Sequence, residues 1–326
     1  LDEIEDIARG FWYSRLVLTA VELDVFTVVG VDGACAVDVA CRTHADPRAT
    51  EMLLNALVAL KLLGKEDGCF VLTELARRHL VAGAPEDARA VFLYQAQLWS
   101  RWAELTTSVR TGAAAQVGDP GGTDDSGTRT FIGAMHRFAE EQAGAFAGEI
   151  ELCEGEHVLD LGGGSGAYAI AFCRLNPGVR ATVFDQPSVV GLAREYIAAA
   201  GLSDRIGTRE GNLVDDDIGL DYDLVWLSNV AHCMAPEDVQ AAFRKVHAAL
   251  RPGGRLVVRD FILDASKTSP GFAAIFSLNM LVATNGGASY SGDEYESWLT
   301  AAGFGSVEPI SVSGAGNATM LLAHRP

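Results

Sequence analysis

Val158-Leu-Asp-Leu-Gly-Gly-Gly-Ser-Gly166 is an apolar run of strand length that enters a glycine loop, with a helical pattern beginning directly after it. The glycines alone do not select a ligand, since Gly162, Gly164 and Ala167 also satisfy a loose dinucleotide fingerprint. Asp160 decides between the ligands. A carboxylate two residues before the first glycine would repel a pyrophosphate. It suits S-adenosylmethionine, which carries an ammonium and a sulfonium and no phosphate. Gly162, Gly164 and Gly166 then let the backbone approach the methionine moiety and ribose without interference from a Cβ. Asp185 lies 19 residues after Gly166, at the end of the next apolar run, where a carboxylate can accept both ribose hydroxyls, with Gln186 beside it. The plainer reading of Asp185 is a strand-end residue that caps a turn. Gly211, Asn212 and Leu213 follow the third strand and are placed to meet the adenine, while Ser228 and Asn229 end the fourth beside the methionine end. The acidic run Asp215–Asp217 reads as a solvated loop.

Outward from this loop, strand-length runs alternate with helical stretches: 157–161, 181–185, 205–210, 223–228 and 255–261. That alternation implies a mostly parallel sheet with helices on both faces, an α/β Rossmann-like class. A helical insertion around 270–282 and a helix over 292–302 precede two runs, 307–312 and 318–324. These last two have no room for a crossover helix and are expected to be antiparallel. The preceding half reads as helical. Helical spacing covers Ile7–Val29, Asp46 caps a helix that Pro47 begins and that continues to Leu63, and Asp67-Gly68 marks the turn of a short hairpin. Helix, helix and wing resemble a winged helix. A further helical stretch covers 90–110, a Gly/Ala/Asp-rich loop 111–127, and a helix 130–152. The expected domains are therefore 1–150 and 151–326.

Charge tests the DNA-binding reading of the wing. Between Ala34 and Ala82 there are six basic and six acidic residues, and the helix from Pro47 to Leu60 offers only Arg48 as a cation. A helix that enters a major groove presents Arg, Lys, Asn or Gln. The whole chain of 326 residues has 25 Lys+Arg against 43 Asp+Glu, a net charge of −18, which disfavours nucleic acid and anionic lipid as partners. The richest apolar stretch, Leu16–Val29, is broken by Glu22 and Asp24, so no membrane span is expected. No basic leader precedes an apolar run, and the six cysteines include no CxxC pair. A cytoplasmic protein with reduced thiols is expected.

Taken in order, the residues resemble the class I methyltransferases, and within them the small-molecule O-methyltransferases of plant and bacterial secondary metabolism. The loop DLGGGSG, the strand end VFDQPSV, Leu227-Ser-Asn-Val-Ala-His-Cys-Met, Leu250-Arg-Pro-Gly-Gly-Arg-Leu-Val-Val-Arg-Asp and Tyr290-Ser-Gly-Asp-Glu-Tyr carry the likeness over nearly the whole chain. The resemblance implies a winged-helix-like N-terminal half that dimerises and covers the pocket, and a C-terminal half that binds S-adenosylmethionine and releases S-adenosylhomocysteine. It makes His232 the base that deprotonates an acceptor hydroxyl, although Cys233 and Met234 depart from the family's His-Asp-Trp. Of the two acids that bracket this histidine in the family, Asp260 matches the first, and Ser289 stands where the second is expected. Asp260 could equally be held by backbone, or form an ion pair with Arg259. Met135 and Met280 match positions that flank a flat acceptor, and core packing explains them as well. Trp99, Trp102, Phe131, His136 and Asn279 complete the candidate acceptor chamber, and no metal-ligand spacing is present.

The expected activity is methyl transfer to a hydroxyl of a small aromatic or polyketide-like metabolite. The rivals are methylation of carbon or nitrogen, a non-methylating reaction on the same scaffold, and a ligand-sensing winged-helix regulator.

Overall fold

Asp46 accepts the Ala49 N–H at 2.8 Å and Pro47 occupies the first helical position, so the chain begins a helix where its sequence places the cap. The computed structural model describes residues 1–116, 125–310, 312 and 318–326. Of the stretch read as a loop over 111–127, residues 117–124 lie outside them. The chain divides into two compact units, Leu1–Trp99 and Ser100–Pro326.

In the first unit, the helix expected over Ile7–Val29 is two, α1 (Asp2–Glu22) and α2 (Val25–Val29), because Asp24 turns left-handed with φ 51°. Next come α3 (Ala36–Arg42) and α4 (Pro47–Ala59). The latter stops short of the expected Leu63, since Lys61 has φ 59° and Leu63 already belongs to a strand. β1 (Leu63–Glu66) and β2 (Cys69–Leu72) pair antiparallel, Glu66 opposite Cys69. Asp67 and Gly68, both at positive φ, close the two-residue hairpin as the right-handed strand twist requires. α5 (Glu74–His79) and α6 (Arg89–Ala103) follow, and α6 runs across the division between the units. Phe26, Leu54, Leu57 and Phe70 are fully buried at the centre of this unit. By contrast Ile4, Ile7, Phe11, Trp12 and Tyr13 on α1 are each more than half exposed.

The second unit opens with α7 (Leu105–Thr111) and α8 (Asp125–Gly148), then alternates: β3 (His157–Leu161), α9 (Ala167–Leu175), β4 (Arg180–Asp185), α10 (Pro187–Ala199), β5 (Ile206–Glu210), β6 (Tyr222–Ser228), α11 (Pro236–Ala249) and β7 (Leu250–Asp260). α12 (Gly271–Ala283), α13 (Gly292–Ala301), β8 (Val307–Ile310) and β9 (Thr319–His324) complete it. The expected α/β class is observed. Strand order is β5-β4-β3-β6-β7-β9-β8, with β5 to β7 parallel and β9 antiparallel to both β7 and β8. Strand order reverses between β3 and β6, and the crevice at their carboxyl ends is where open α/β sheets take their ligands. The division between units falls well before the boundary expected near 150. Phe146, Ala147 and Ile150 at the end of α8 are buried in the core of the sheet, which binds this helix to the second unit.

The Asp46 cap carries a measurable share of the first unit's stability. Asp46→Ala is expected to cost about 1 kcal/mol, read as a lower urea midpoint in tryptophan fluorescence with the slope unchanged.

Candidate active site

Three glycines of the loop after β3 take positive φ: Gly162 at 70°, Gly164 at 57° and Gly166 at 77°. An added Cβ at Gly162 would lie 2.5 Å from Val230 Cγ2, and one at Gly163 would lie 2.7 Å from Asp160 Cγ. The loop is thus folded down onto the Asp160 carboxyl. That carboxyl is 1% exposed, accepts the Ala169 N–H at 3.1 Å, and has no basic side chain in ion-pair range among the described residues. Burial pushes its pKa up to about 7, opposed by the Ala169 N–H and assisted by the negative charge of Asp185. Asp185 ends β4 and receives the Gly164 N–H at 2.8 Å and the Gln186 N–H at 2.7 Å, while burial raises its pKa. Each of its oxygens keeps a lone pair for a ligand. Gln186 itself is exposed and precedes Pro187 at the start of α10.

Gly211 follows β5, and its backbone packs so closely on Phe184 that a Cβ would fall 2.7 Å from the ring. Asn212 Oδ1 accepts the Val214 N–H at 2.8 Å, and Asp216 accepts the Asn212 N–H at 2.7 Å. The acidic run read as a solvated loop therefore shapes this turn. Lys245 clamps it by donating to the carbonyls of Leu213, Val214 and Asp216. At the end of β6, Asn229 sits at φ 56° and its Oδ1 is buried without a hydrogen-bond partner. A buried acid and a half-buried one with no cation in ion-pair range among the described residues, an unpaired buried acceptor and a glycine cradle suit a cationic ligand without phosphate.

Beyond Asn229 the chain makes one 3-10 turn, Ala231–Cys233, which places His232 against β7. Its Nδ1 lies 2.5 Å from Asp260 Oδ1, and both residues are nearly fully buried. Asp260 also accepts N–H bonds from His232 (3.2 Å) and Phe261 (2.8 Å) and the Tyr295 hydroxyl at 3.0 Å. Burial alone would lower the pKa of the ring, but the Asp260 carboxylate, with Cys233 alongside, outweighs it and raises the pKa. Burial likewise acts to raise Asp260, and His232 holds it below the usual carboxylate range. Asp260 thus serves both backbone and imidazole. It does not pair with Arg259, because successive strand residues point to opposite faces. Where a second acid was expected, Ser289 is 4% exposed and its Oγ has no hydrogen-bond partner among the described residues. The Tyr295 hydroxyl, which the sequence reading missed, is the further side chain on Asp260.

His232 faces aromatic rings that the sequence reading also missed. The Phe276 ring stands edge-on to the imidazole with centroids 4.9 Å apart, and Phe261 lies nearly parallel to it at 6.1 Å. Phe272 packs on Phe261 at 5.0 Å. Their i, i+4 spacing on α12 reads as core until the histidine is located. Asn279 is buried on the same helix, and its Oδ1 accepts the Trp102 Nε1–H at 2.9 Å, with Met280 buried next to it. Phe131 is exposed on α8 and Met135 half-buried one turn on. His136 shares a hydrogen bond with Ser165 Oγ (2.8 Å) and stacks on Tyr196 at 3.9 Å, which ties α8 to the glycine loop. Trp99 ends the first unit, with the Arg15 guanidinium 5.6 Å above its ring. The six cysteines are free thiols, and the described residues contain no cluster of metal ligands and no helix long and apolar enough to cross a membrane.

Comparison with known proteins agrees with this geometry. Residues 102–305 match the O-methyltransferase domain and residues 5–82 match the O-methyltransferase dimerisation domain. The chain is 33% identical to the 3-hydroxy-5-methyl-1-naphthoate 3-O-methyltransferase of Streptomyces sahachiroi, over 96% of this chain and 92% of that one. It is 30% identical to the tetracenomycin polyketide synthesis 8-O-methyl transferase TcmO of Streptomyces glaucescens, over 99% and 96%. Among solved structures, PigF with SAH superposes with a TM-score of 0.92 at 26% identity, covering 99% of both chains. Human N-acetylserotonin methyltransferase in complex with SAM does so at 0.87 and 26%, covering 99% and 97%. A helical dimerisation domain followed by a sheet of class I methyltransferase type, in full-length register with these enzymes, makes this chain a member of the S-adenosylmethionine-dependent O-methyltransferase family of secondary metabolism.

Proposed function

We propose that the chain methylates a hydroxyl of a small aromatic metabolite, with His232 as the base that takes the hydroxyl proton. The observation that carries this reading is the buried His232–Asp260 pair, set against Phe261 and Phe276. Bound S-adenosylmethionine supplies an electrophilic methyl group on sulfonium. Asp160, Asn229 and the glycine loop would hold its methionine end, Asp185 the ribose, and the turn at Gly211–Leu213 the adenine, with Gln186 and Ser228 at the margins. The relatives named for a naphthoate and for a tetracenomycin polyketide support an aromatic acceptor.

With Nδ1–H donated to Asp260, the imidazole keeps Nε2 as its basic nitrogen. An acceptor hydroxyl placed there would give its proton to Nε2, and its oxygen would gain the phenolate character that speeds displacement. Asp260 fixes the tautomer and stabilises the imidazolium as it forms. Phe261, Phe272, Phe276 and Met280 supply flat and pliable apolar surface for a ring, with Met135 and Phe131 contributed from α8. Asn279, oriented by Trp102, offers a polar group to a substituent.

Only the neutral ring can accept a proton, so a raised imidazole pKa moves the acidic limb of the kcat/KM profile upward. The limb is expected above the ordinary imidazole value of about 6.5. Asp260→Asn should bring the limb down toward that value and lower the maximal rate. A limb that stays in place would show that Asp260 does not tune the base. His232→Ala should reduce turnover of a phenolic acceptor by roughly 100-fold or more, with binding of S-adenosylhomocysteine unchanged. Survival of the rate, or a product without the added CH2, would favour carbon or nitrogen methylation or a non-methylating reaction.

Gly287 supports the same turn from behind, since a Cβ there would lie 2.4 Å from the His232 carbonyl oxygen. Gly287→Ala should therefore lower kcat far more than it raises the KM for S-adenosylmethionine. The apolar face of α1 is proposed to be covered by a second copy of the chain in a homodimer. Native mass spectrometry should find two subunits, and Trp12→Glu should give one.

A further inference from the structure

Arg259 is a buried cation without a counter-ion. It ends β7 on the face opposite Asp260, is 5% exposed, and has no carboxylate in ion-pair range among the described residues. Its guanidinium lies 4.4 Å from the centroid of Phe146 and 5.7 Å from that of Tyr168. Nη2 donates to Gln142 Oε1 at 2.7 Å and Nη1 to Ser228 Oγ at 3.3 Å. Nε finds no partner. Two further buried groups of the cluster, the Tyr168 hydroxyl, which Ser228 approaches, and the Trp226 Nε1, on rings 4.9 Å apart, make no hydrogen bond among the described residues. All three can donate a hydrogen bond, and leaving such groups buried and unpaired is costly. A cation and three unsatisfied donors in one buried cluster are the complement of an anion.

The position of the cluster indicates which anion. In the sheet Trp226 is paired with Asp160, and Arg259 with Ser228. The Asn229 N–H donates to the Arg259 carbonyl at 2.9 Å. The cluster therefore adjoins the residues proposed above to hold the methionine end of the cofactor, and the inference rests on that reading. A free α-amino acid end carries an ammonium and a carboxylate. Asp160 and Asn229 Oδ1 offer acceptors for the first, and the Arg259 guanidinium offers a positive side chain for the second, whereas Lys245 is spent on the carbonyls of Leu213, Val214 and Asp216.

We propose that Arg259, with the Tyr168 hydroxyl and Trp226 Nε1, recognises the α-carboxylate of S-adenosylmethionine and of its product. Specificity for the intact amino acid end then comes from two buried charges of opposite sign, Asp160 below the glycine loop and Arg259 at the end of β7. A guanidinium suits this task because it presents planar, paired donors and is less costly to bury than an ammonium.

The test is isothermal titration of the full chain with S-adenosylhomocysteine and with its decarboxylated analogue, 5′-(3-aminopropyl)thioadenosine. Wild type is expected to prefer the carboxylate-bearing ligand by roughly 10- to 100-fold, the range for a charge-assisted buried contact. Arg259→Gln should lose most of that preference by weakening the first ligand alone, and Arg259→Lys should restore part of it. Tyr168→Phe keeps the ring packing and should narrow the preference several-fold, which leaves a readable variant if Arg259→Gln does not fold. A folded Arg259→Gln with the full wild-type preference overturns the proposal. Wild type that binds both ligands equally also overturns it, while the cofactor site stands. Wild type that binds neither overturns the cofactor reading together with this one.

Discussion

Asp260 receives four hydrogen bonds in a place water does not reach, and much of the second unit is arranged so that it can. His232 Nδ1 and N, Phe261 N and the Tyr295 hydroxyl converge on it from the turn after β6, from β7 and from α13. An unpaired buried carboxylate is costly, so each of these elements is fixed by the need to serve it. The proposed base is one of the four donors, and its tautomer and position follow from the same constraint. Parallel strand topology then brings β3, β4, β6 and β7 to a common end, where the glycine loop and the imidazole meet. The crevice and the proposed base lie at one end of the sheet, where these strands finish.

The sequence made the frame legible because its signals are local. Strand-length apolar runs, Asp46-Pro47, Asp67-Gly68 and the glycine loop each act within a few residues, and each appears where it was read. Element ends were less legible, as at Asp24 and Lys61, where a single left-handed residue breaks a pattern that periodicity alone would continue. Site residues divide in the same way. Asp160, Asp185 and His232 follow strands directly and could be placed. Tyr295, Tyr168, Phe261 and Phe276 could not, because an aromatic on an apolar helix or strand end looks like core until its neighbours across the fold are known. Ser165 lay inside the quoted motif and was passed over in favour of the glycines, though it links the loop to His136. Arg259 was legible in part. A strand places adjacent residues on opposite faces, and that rule argues against an ion pair with Asp260 from the sequence alone.

Family membership sets the chemistry in outline, and in the proposed reading the acceptor is decided by a different set of residues. The helices and strand end that carry Phe261, Phe272, Phe276, Asn279 and Met280 surround the imidazole without belonging to the glycine loop. The acceptor-facing surface can therefore vary while the loop, Asp185 and the His232 turn stay fixed. That separation allows enzymes about 30% identical to share a scaffold and carry the names of different acceptors.

Alternation along β7 has a consequence for how the chain tolerates change in length. Arg259 and Asp260 are neighbours in sequence whose side chains serve opposite faces, and β7 is paired on both sides, with β6 and with β9. One residue inserted or deleted between Gly254 and Arg259 would exchange the two faces at a stroke, setting a guanidinium behind His232 and a carboxylate among the aromatic rings of α8 and α9. Point substitutions in this strand can be absorbed one at a time. A shift in frame cannot, so the eleven residues from Leu250 to Asp260 are the part of the molecule in which length is more strictly constrained than composition.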